Sequence, residues 1–203
     1  MTSKIMRDTT QQKNANQLLV GVDEAGRGPL AGPVSAAAVI LNPNKPIKGL
    51  DDSKKLSKKR REYPFHCIQE HALAWAVGWS SVAEIDQINI LHASLLAMKR
   101  AVMALNIIPD LVVIDGKHKP LLTYPMQTVI GGDSLIPAIS AASIMAKVSR
   151  DKLMAELHQL YPDYGFMQHQ GYPTKFHVQQ LRLLGPTALH RQSFKPVKDA
   201  IKC

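Results

Sequence analysis

The 203-residue sequence predicts an α/β domain in which a central mixed five-stranded sheet is flanked by helices. Three observations lead to this fold class. Short apolar runs alternate with segments of helical periodicity, turn-forming residues separate the two, and no internal repeat or low-complexity stretch interrupts them. Hydrophobic residues make up 45% of the chain, an ordinary globular share, and the length suffices for one well-filled core.

Five apolar runs predict the strands, and turn signals such as Asn42-Pro43-Asn44 separate them. The first and fourth runs are the most apolar, so we expect these two strands to lie side by side at the centre of the sheet. The runs are Leu18 to Val22, Val34 to Leu41, Ala74 to Ser80, Leu111 to Ile114 and Gln127 to Ile130.

Two helices are predicted between the second and fourth strands. Ser57 is a plausible N-cap for a helix through residues 58–61, although Pro64 in the same stretch counts against a continuous helix. Ser81-Val-Ala-Glu84 is a capping box, whose two side chains accept hydrogen bonds from free backbone N–H groups. The helix after it has apolar residues near a 3.6-residue period: Ile88, Leu91, Leu95, Met98, Val102 and Leu105.

Two more helices are predicted after the fifth strand. Pro137 is well placed near the start of a long helix that runs towards Leu160, because proline fits the first helical turn. Thr174 is predicted to cap a last amphipathic helix, which ends at Gly185-Pro186.

The composition favours a polyanionic partner. Lysine and arginine number 25 against 16 acidic residues, which gives a net charge of +9, although a merely soluble basic protein is an alternative. Cys67 and Cys203 have neither metal-site nor disulfide spacing, which fits a reducing compartment. We find no apolar run near the ~20 residues needed to span a membrane and no signal peptide, so a cytoplasmic location is expected.

Acidic residues follow three of the predicted strands. Asp23 and Glu24 follow the first, Asp115 follows the fourth, and Asp133 comes shortly after the fifth. Ligand sites of open α/β sheets gather at such strand ends, and four converging carboxylates would repel each other without a cation. We therefore expect two divalent ions, Mg²⁺ or Mn²⁺, acting on a phosphodiester. Taken singly, Asp115 could form a turn and Asp133 could cap a helix.

A glycine-arginine-glycine turn, Gly26-Arg27-Gly28, follows the first acidic pair. Glycine lets a backbone come close to a ligand, and arginine suits a phosphate. A nucleotide-binding module is the rival interpretation, but the spacing is not G-x-G-x-x-G and Pro29 falls where a helix should begin.

The run Val22-Asp23-Glu24-Ala25-Gly26-Arg27-Gly28-Pro29-Leu30-Ala31-Gly32 resembles the signature of bacterial ribonuclease HII, the type 2 ribonucleases H. The resemblance covers about residues 17 to 198. Gln170 and Gln192 depart from it, where a lysine and a second arginine are common. Further matching motifs are Asp52-Ser53-Lys54-Lys55-Leu56, Asn89-Ile90-Leu91, Ile114-Asp115-Gly116, Gly132-Asp133, the run 140–151, Tyr164-Gly165-Phe166, the run 169–174 and Arg191-Gln192-Ser193-Phe194.

The resemblance implies a ribonuclease H-like fold and a two-metal endonuclease whose catalytic acids are Asp23, Glu24, Asp115 and Asp133. It implies cleavage on the 5′ side of ribonucleotides, in RNA–DNA hybrids and at single ribonucleotides in duplex DNA, leaving 3′-hydroxyl and 5′-phosphate ends. Gly26, Arg27 and Gly28 are expected to sense the 2′-hydroxyl. By resemblance, Tyr172 packs against the deoxyribose on the 3′ side of the ribonucleotide.

Basic side chains are expected to contact the phosphate backbone of the substrate. Lys54, Lys55 and Lys147 are the candidates, although a solvated helix face is the alternative for the basic run 54–61. Asp151 is interpreted as an ion-pair partner rather than a metal ligand. The eight histidines have no metal-site spacing, and His169 is expected to lie nearest the substrate.

Residues 1–16 are predicted as a mobile polar tail, 17–173 as the catalytic domain and 174–203 as a C-terminal helical extension packed on it. Type 3 ribonuclease H is the nearest rival, but it carries a sizeable domain before the signature, and here 22 residues precede Asp23. A non-catalytic nucleic-acid-binding protein would not explain the four acids. We expect a monomer, and the tail after Phe194 lacks a clear sliding-clamp motif.

Overall fold

The computed structural model describes residues 17–50 and 58–201 of the chain. The predicted tail 1–16, Lys54, Lys55 and Ser57 lie outside these ranges. Within them, none of the helices is both long enough and apolar enough to cross a membrane. The strands are β1 (Leu19–Ala25), β2 (Val34–Ile40), β3 (Ala74–Ser80), β4 (Leu111–Asp115) and β5 (Met126–Val129).

The five strands form one mixed sheet in the order β3-β2-β1-β4-β5. β1 pairs antiparallel with β2 and parallel with β4, which confirms that the two most apolar strands lie side by side at the centre. The register places Val22 opposite Ile114, so the residues that follow each of them, Asp23 and Asp115, reach the same edge of the sheet.

The described helices confirm most of the predicted ones. Pro64 lies inside the first helix and does not end it. The capping box at Ser81 is present, Pro137 begins the long helix, and Thr174 caps the amphipathic helix as predicted. The helices are α1 (Lys58–His71), α2 (Val82–Met103), α3 (Pro137–Leu160), α4 (Phe166–His169), α5 (Lys175–Leu184) and α6 (Lys195–Ile201).

Thr174 caps its helix, but the prediction that this helix is the last was wrong, because α6 follows α5. The segment is short and has proline as its second residue, so it gives little helical periodicity. Its one buried side chain, Val197, packs with Leu30 and Leu181. Tertiary burial of this side chain therefore stabilises a helix that seven isolated residues would not form in water.

Each face of the sheet is covered by helices. α2 packs on one face, and α3 packs on the other together with α1. At the start of α3 the contact with β1 is very close: a Cβ on Gly21 would lie 2.1 Å from the backbone carbonyl carbon of Ala138. Glycine at this position lets α3 cross β1 closely, and the next turns of α3 pass over the acidic edge of the sheet.

The buried face of α2 includes Met98 and Val102 of the predicted apolar stripe and, in addition, small residues outside it. Asn89 has a φ of 65°, which kinks the helix, and its side-chain oxygen accepts the N–H groups of Leu91 and His92 so that the helix restarts. Ala97 and Ala101 pack against β3 across Gly78, where a Cβ would lie 2.2 Å from the carbonyl oxygen of Ala97. Close approach through small residues therefore determines which side of α2 is buried.

Candidate active site

Three carboxylates meet at the carboxyl edge of the two central strands. Asp23 and Glu24 lie near the end of β1, and Asp115 ends β4. Local hydrogen bonds fix two of them: Asp23 Oδ1 accepts the N–H of Glu24 at 2.7 Å, and Asp115 Oδ1 accepts the N–H of Gly132 at 2.7 Å. All three acids line one pocket of about 440 Å³.

The fourth predicted acid, Asp133, lies beside this group. It sits in a short 3-10 turn, Gly132–Ser134, and is 5% exposed. Its backbone carbonyl accepts a hydrogen bond from the hydroxyl of Ser140, while the preceding residue, Gly132, donates to Asp115. The structure therefore places three of the four acids on the pocket wall and Asp133 in the turn whose first residue, Gly132, donates to Asp115.

Burial and charge repulsion act together on Asp23. Burial raises the pKa of its carboxyl group well above the ordinary value, and the nearby charges of Glu24 and Asp115 raise this pKa further. A hydrogen bond from Ser143 opposes these effects. The ionised form of Asp23 is thus unfavourable by itself, and a nearby cation would stabilise it.

The donor set suits a hard divalent ion, because carboxylate oxygens are the ligands that Mg²⁺ and Mn²⁺ prefer. In residues 17–50 and 58–201, no group of three or more histidine, cysteine, aspartate or glutamate side chains is arranged to hold an ion. The described carboxylates share a pocket wall rather than a single coordination point.

The glycine-arginine-glycine turn forms the rim of the same pocket. Gly26 has a φ of 95°, and a Cβ there would lie 2.1 Å from the side-chain nitrogen Nε of Arg150, so the position requires glycine. Arg27 is exposed and its guanidinium lies 3.2 Å from a carboxylate oxygen of Glu24. The turn therefore brings a cation and the exposed backbone of Arg27 and Gly28 next to the acidic edge.

Tyr172 and Lys147 complete the pocket, together with Ser143 and Arg61. Tyr172 is 40% exposed, and its ring lies over Gly28. The ammonium of Lys147 lies 5.7 Å from the centre of that ring and 2.7 Å from a carboxylate oxygen of Asp151. The predicted ion pair of Asp151 is confirmed.

Comparison with known proteins bears on the identity of this site. The family model described as Ribonuclease HII matches residues 20–197. The chain belongs to the ribonuclease HII family. It is therefore a ribonuclease H, a hydrolase that acts on RNA paired with DNA.

Solved structures of ribonucleases H share the fold. Ribonuclease H2 from Pyrococcus horikoshii OT3 is 25% identical, with a TM-score of 0.75, over 91% of this chain and 97% of that one. RNase HII from Archaeoglobus fulgidus, solved in a complex with PCNA, is 22% identical, with a TM-score of 0.66, over 88% and 95%. Bst-RNase HIII, solved with Mn²⁺, is 18% identical, with a TM-score of 0.70, over 91% and 69%. These likenesses confirm the predicted ribonuclease H-like fold.

Two buried arginines hold the loop of this ribonuclease HII chain that runs from Gly26 to Pro33. Arg191 donates five hydrogen bonds to backbone carbonyls, and Arg150 donates three. Both side chains are 0% exposed, and no salt bridge to either was found among the described residues. The carbonyls they bind belong to Gly26, Arg27, Pro29, Ala31, Gly32, Pro33 and Gln170.

The carbonyl oxygens stabilise two charges that burial disfavours. Burial lowers the pKa of Arg150 to about 10, and burial together with the charge of Arg150 lowers the pKa of Arg191 to about 9. Both guanidinium groups therefore remain charged at neutral pH. The sequence analysis recognised both arginines within motifs but not this role, because most of their partners lie more than 110 positions away.

His169, expected nearest the substrate, is 8% exposed and lies behind the segment that carries Tyr172. One ring nitrogen contacts the carbonyl of Tyr164 at 2.8 Å, and the other accepts the N–H of Gly171 at 3.2 Å. These contacts place the histidine beneath the pocket wall, where it supports the backbone next to Tyr172.

Proposed function

We propose that this protein is a type 2 ribonuclease H. It cleaves the phosphodiester on the 5′ side of ribonucleotides, both in RNA–DNA hybrids and at single ribonucleotides embedded in duplex DNA. The products carry 3′-hydroxyl and 5′-phosphate ends. The observation that supports this proposal is one pocket lined by Asp23, Glu24 and Asp115 together with the glycine-arginine-glycine turn and Tyr172.

The acids Asp23, Glu24, Asp115 and Asp133 would hold two divalent ions, Mg²⁺ or Mn²⁺. When bound, such ions activate water and stabilise the leaving oxygen of an in-line displacement. The environment of Asp23 supports this assignment. Burial and the negative charges of Glu24 and Asp115 raise the pKa of its carboxyl group, and an adjacent cation would offset both effects. The Mn²⁺ found with Bst-RNase HIII supports a divalent ion in this fold.

The side chains of the acidic edge are held before substrate arrives. The N–H of Glu24 orients Asp23, and the N–H of Gly132 orients Asp115, so neither carboxylate has to be ordered during the reaction. Lys147 lines the same pocket, where its ammonium can contact a backbone phosphate while Asp151 fixes its position.

Recognition of the ribonucleotide falls to the rim of the pocket. Because the attack does not use the 2′-hydroxyl, specificity requires groups that detect this hydroxyl as donor and acceptor. Backbone atoms of Gly26, Arg27 and Gly28 can approach the sugar edge closely. Tyr172 packs against the next deoxyribose on the 3′ side, so that the two elements together detect an RNA-to-DNA junction.

The family model supports type 2 over type 3, since its description is that of ribonuclease HII. We propose that the enzyme acts as a monomer. The described residues after Phe194 carry no motif that would support a sliding clamp as a partner.

The test is a labelled DNA duplex containing one ribonucleotide, incubated with Mg²⁺, Mn²⁺ or EDTA. A nick on the 5′ side of the ribonucleotide with either metal, and no nick with EDTA, is the expected result. Cleavage of a long hybrid without that nick would overturn the embedded-ribonucleotide activity and the role of Tyr172. Cleavage in EDTA would overturn the metal assignment.

A further inference from the structure

Two buried histidines form a hydrogen-bonded chain that ends at Tyr172. His177 is 0% exposed and His190 is 1% exposed, and neither lines the candidate active site. Thr187 lies at the far end of the chain, and the backbone carbonyl of Tyr172 lies at the near end. The chain thus joins the loop between α5 and α6 to the segment that recognises the substrate.

The partners fix the tautomer of each ring. Nδ1 of His190 accepts the N–H of Thr187 at 3.0 Å, so the ring proton of neutral His190 is on Nε2. This nitrogen lies 3.1 Å from Nε2 of His177, which therefore accepts. The proton of His177 is left on Nδ1, which donates to the carbonyl of Tyr172 at 2.9 Å.

Burial keeps both rings neutral, as this chain of hydrogen bonds requires. Burial lowers the pKa of His177, and burial together with His177 lowers the pKa of His190 to about 4. His169 stacks on His177 with 4.5 Å between ring centres and accepts the N–H of Gly171. The backbone on either side of the Cα atom of Tyr172 is thus held by buried groups.

The Tyr172 side chain is 40% exposed, with Gly28 below the ring and Lys147 5.7 Å from the ring centre. The direction of the side chain depends on the backbone conformation of residue 172, which three hydrogen bonds restrict. The N–H of Tyr172 donates to the carbonyl of His169 at 2.8 Å, and its carbonyl accepts the N–H of Thr174 at 2.8 Å as well as Nδ1–H of His177. The His177 bond ties this backbone to the interior, because its donor ring is fully buried.

We infer that His177, held in one tautomer by His190, positions Tyr172 and thereby sets the preference for an embedded ribonucleotide over a long hybrid. The inference rests on the junction-reading role proposed above for Tyr172. It makes His177 a positioning residue for specificity, since the ring does not reach the pocket.

A matched pair of substitutions separates positioning from packing. In His177→Asn, the amide nitrogen takes the place of Nδ1 and can still donate to the carbonyl of Tyr172. In His177→Gln, the amide takes the place of Nε2 and retains the partner His190 but not that donor. The measured quantity is kcat/KM on an embedded ribonucleotide divided by kcat/KM on a long hybrid.

His177→Gln is expected to lower this ratio about five- to tenfold, the worth of one buried hydrogen bond. His177→Asn is expected to keep the wild-type ratio, and both variants should cleave the hybrid normally. Equal ratios for the two variants, whether lowered or unchanged, would overturn the inference. If Tyr172→Ala leaves the ratio unchanged, the junction-reading proposal fails instead.

A second measurement does not depend on activity or on stable variants. Nitrogen-15 NMR of the wild-type imidazoles should show a proton on Nδ1 of His177 and on Nε2 of His190. The opposite tautomers, or protonated rings at neutral pH, would overturn the inference even if every variant failed to fold.

Discussion

The acidic edge and the recognition rim of one pocket are built in different ways. The acidic edge consists of Asp23, Glu24 and Asp115 on two adjacent strands, and its fixing hydrogen bonds span 1 and 17 positions of the chain. The proposed recognition rim consists of Gly26-Arg27-Gly28 and Tyr172. Arg191 holds the turn from up to 165 positions away, whereas His177 holds the carbonyl of Tyr172 from five positions away. The acidic side chains are thus oriented by nearby backbone groups and the turn is held at long range, so substitutions should affect the two separately.

The largest effect is expected from Asp115→Asn, which removes a carboxylate from the acidic edge. Cleavage of both substrates should fall on the order of 10³-fold or more, because a ligand of the proposed metal site is lost. Duplex binding should stay close to wild type, as the recognition rim is intact. Kinetics and a gel-shift titration measure the two quantities, and normal turnover would remove Asp115 from the metal site.

The same variant should stabilise the metal-free protein. Asp115 is one of the charges that raise the pKa of Asp23, so its neutralisation relieves repulsion at neutral pH. The urea midpoint in EDTA should rise above that of the wild type. Added Mg²⁺ should then stabilise the wild type more than the variant, and a midpoint below wild type in EDTA would contradict the repulsion.

Arg191→Lys breaks the support of the recognition rim. A single ammonium cannot replace a guanidinium that donates to five carbonyls. We expect the free energy of unfolding to fall by about 2–4 kcal/mol. Arg182→Lys, on the exposed side of α5, is the matched control and should change stability by less than about 0.5 kcal/mol. Similar urea midpoints for the two variants would show that Arg191 does not stabilise the rim.

The difference between local and long-range contacts also decides how much of each region the sequence predicts. The acidic edge was predicted because an aspartate after an apolar run marks the end of a strand, and β1 and β4 are the most apolar runs. The role of Arg191 was not predicted, since its partners lie 158 to 165 positions away. Helix α6 was missed because burial of Val197, rather than local periodicity, stabilises it. The kink at Asn89 is stabilised locally by its side-chain hydrogen bonds to Leu91 and His92, which apolar periodicity does not show.

Tyr172→Ala removes a recognition group without disturbing the acidic edge. We expect kcat/KM at an embedded ribonucleotide to fall about tenfold, the worth of one stacked or packed ring. For cleavage within a long hybrid, kcat/KM should fall less than about fivefold. Parallel assays on the two substrates measure the difference, and equal losses would show that Tyr172 does not read the junction.

A pH dependence of stability is also expected from the buried histidines. Burial and His177 lower the pKa of His190 from 6.5 to about 4 in the folded state. The unfolded chain therefore binds a proton first, and stability falls as the pH drops from 6.5 towards 4, by up to roughly 3 kcal/mol. Urea midpoints across this range should fall more steeply for the wild type than for His190→Gln. Equal pH dependences of the urea midpoint in the two proteins would show that His190 does not contribute to the pH dependence of stability.

The long separation of Arg191 from the turn that it holds affects how the enzyme matures during translation. The Gly26 carbonyl leaves the ribosome 165 residues before its guanidinium partner. At about 5–20 residues per second, this interval is on the order of ten seconds or more. We expect the acids of the sheet to be in place before the rim is ordered, so the polypeptide becomes selective for ribonucleotides only after Arg191 has emerged.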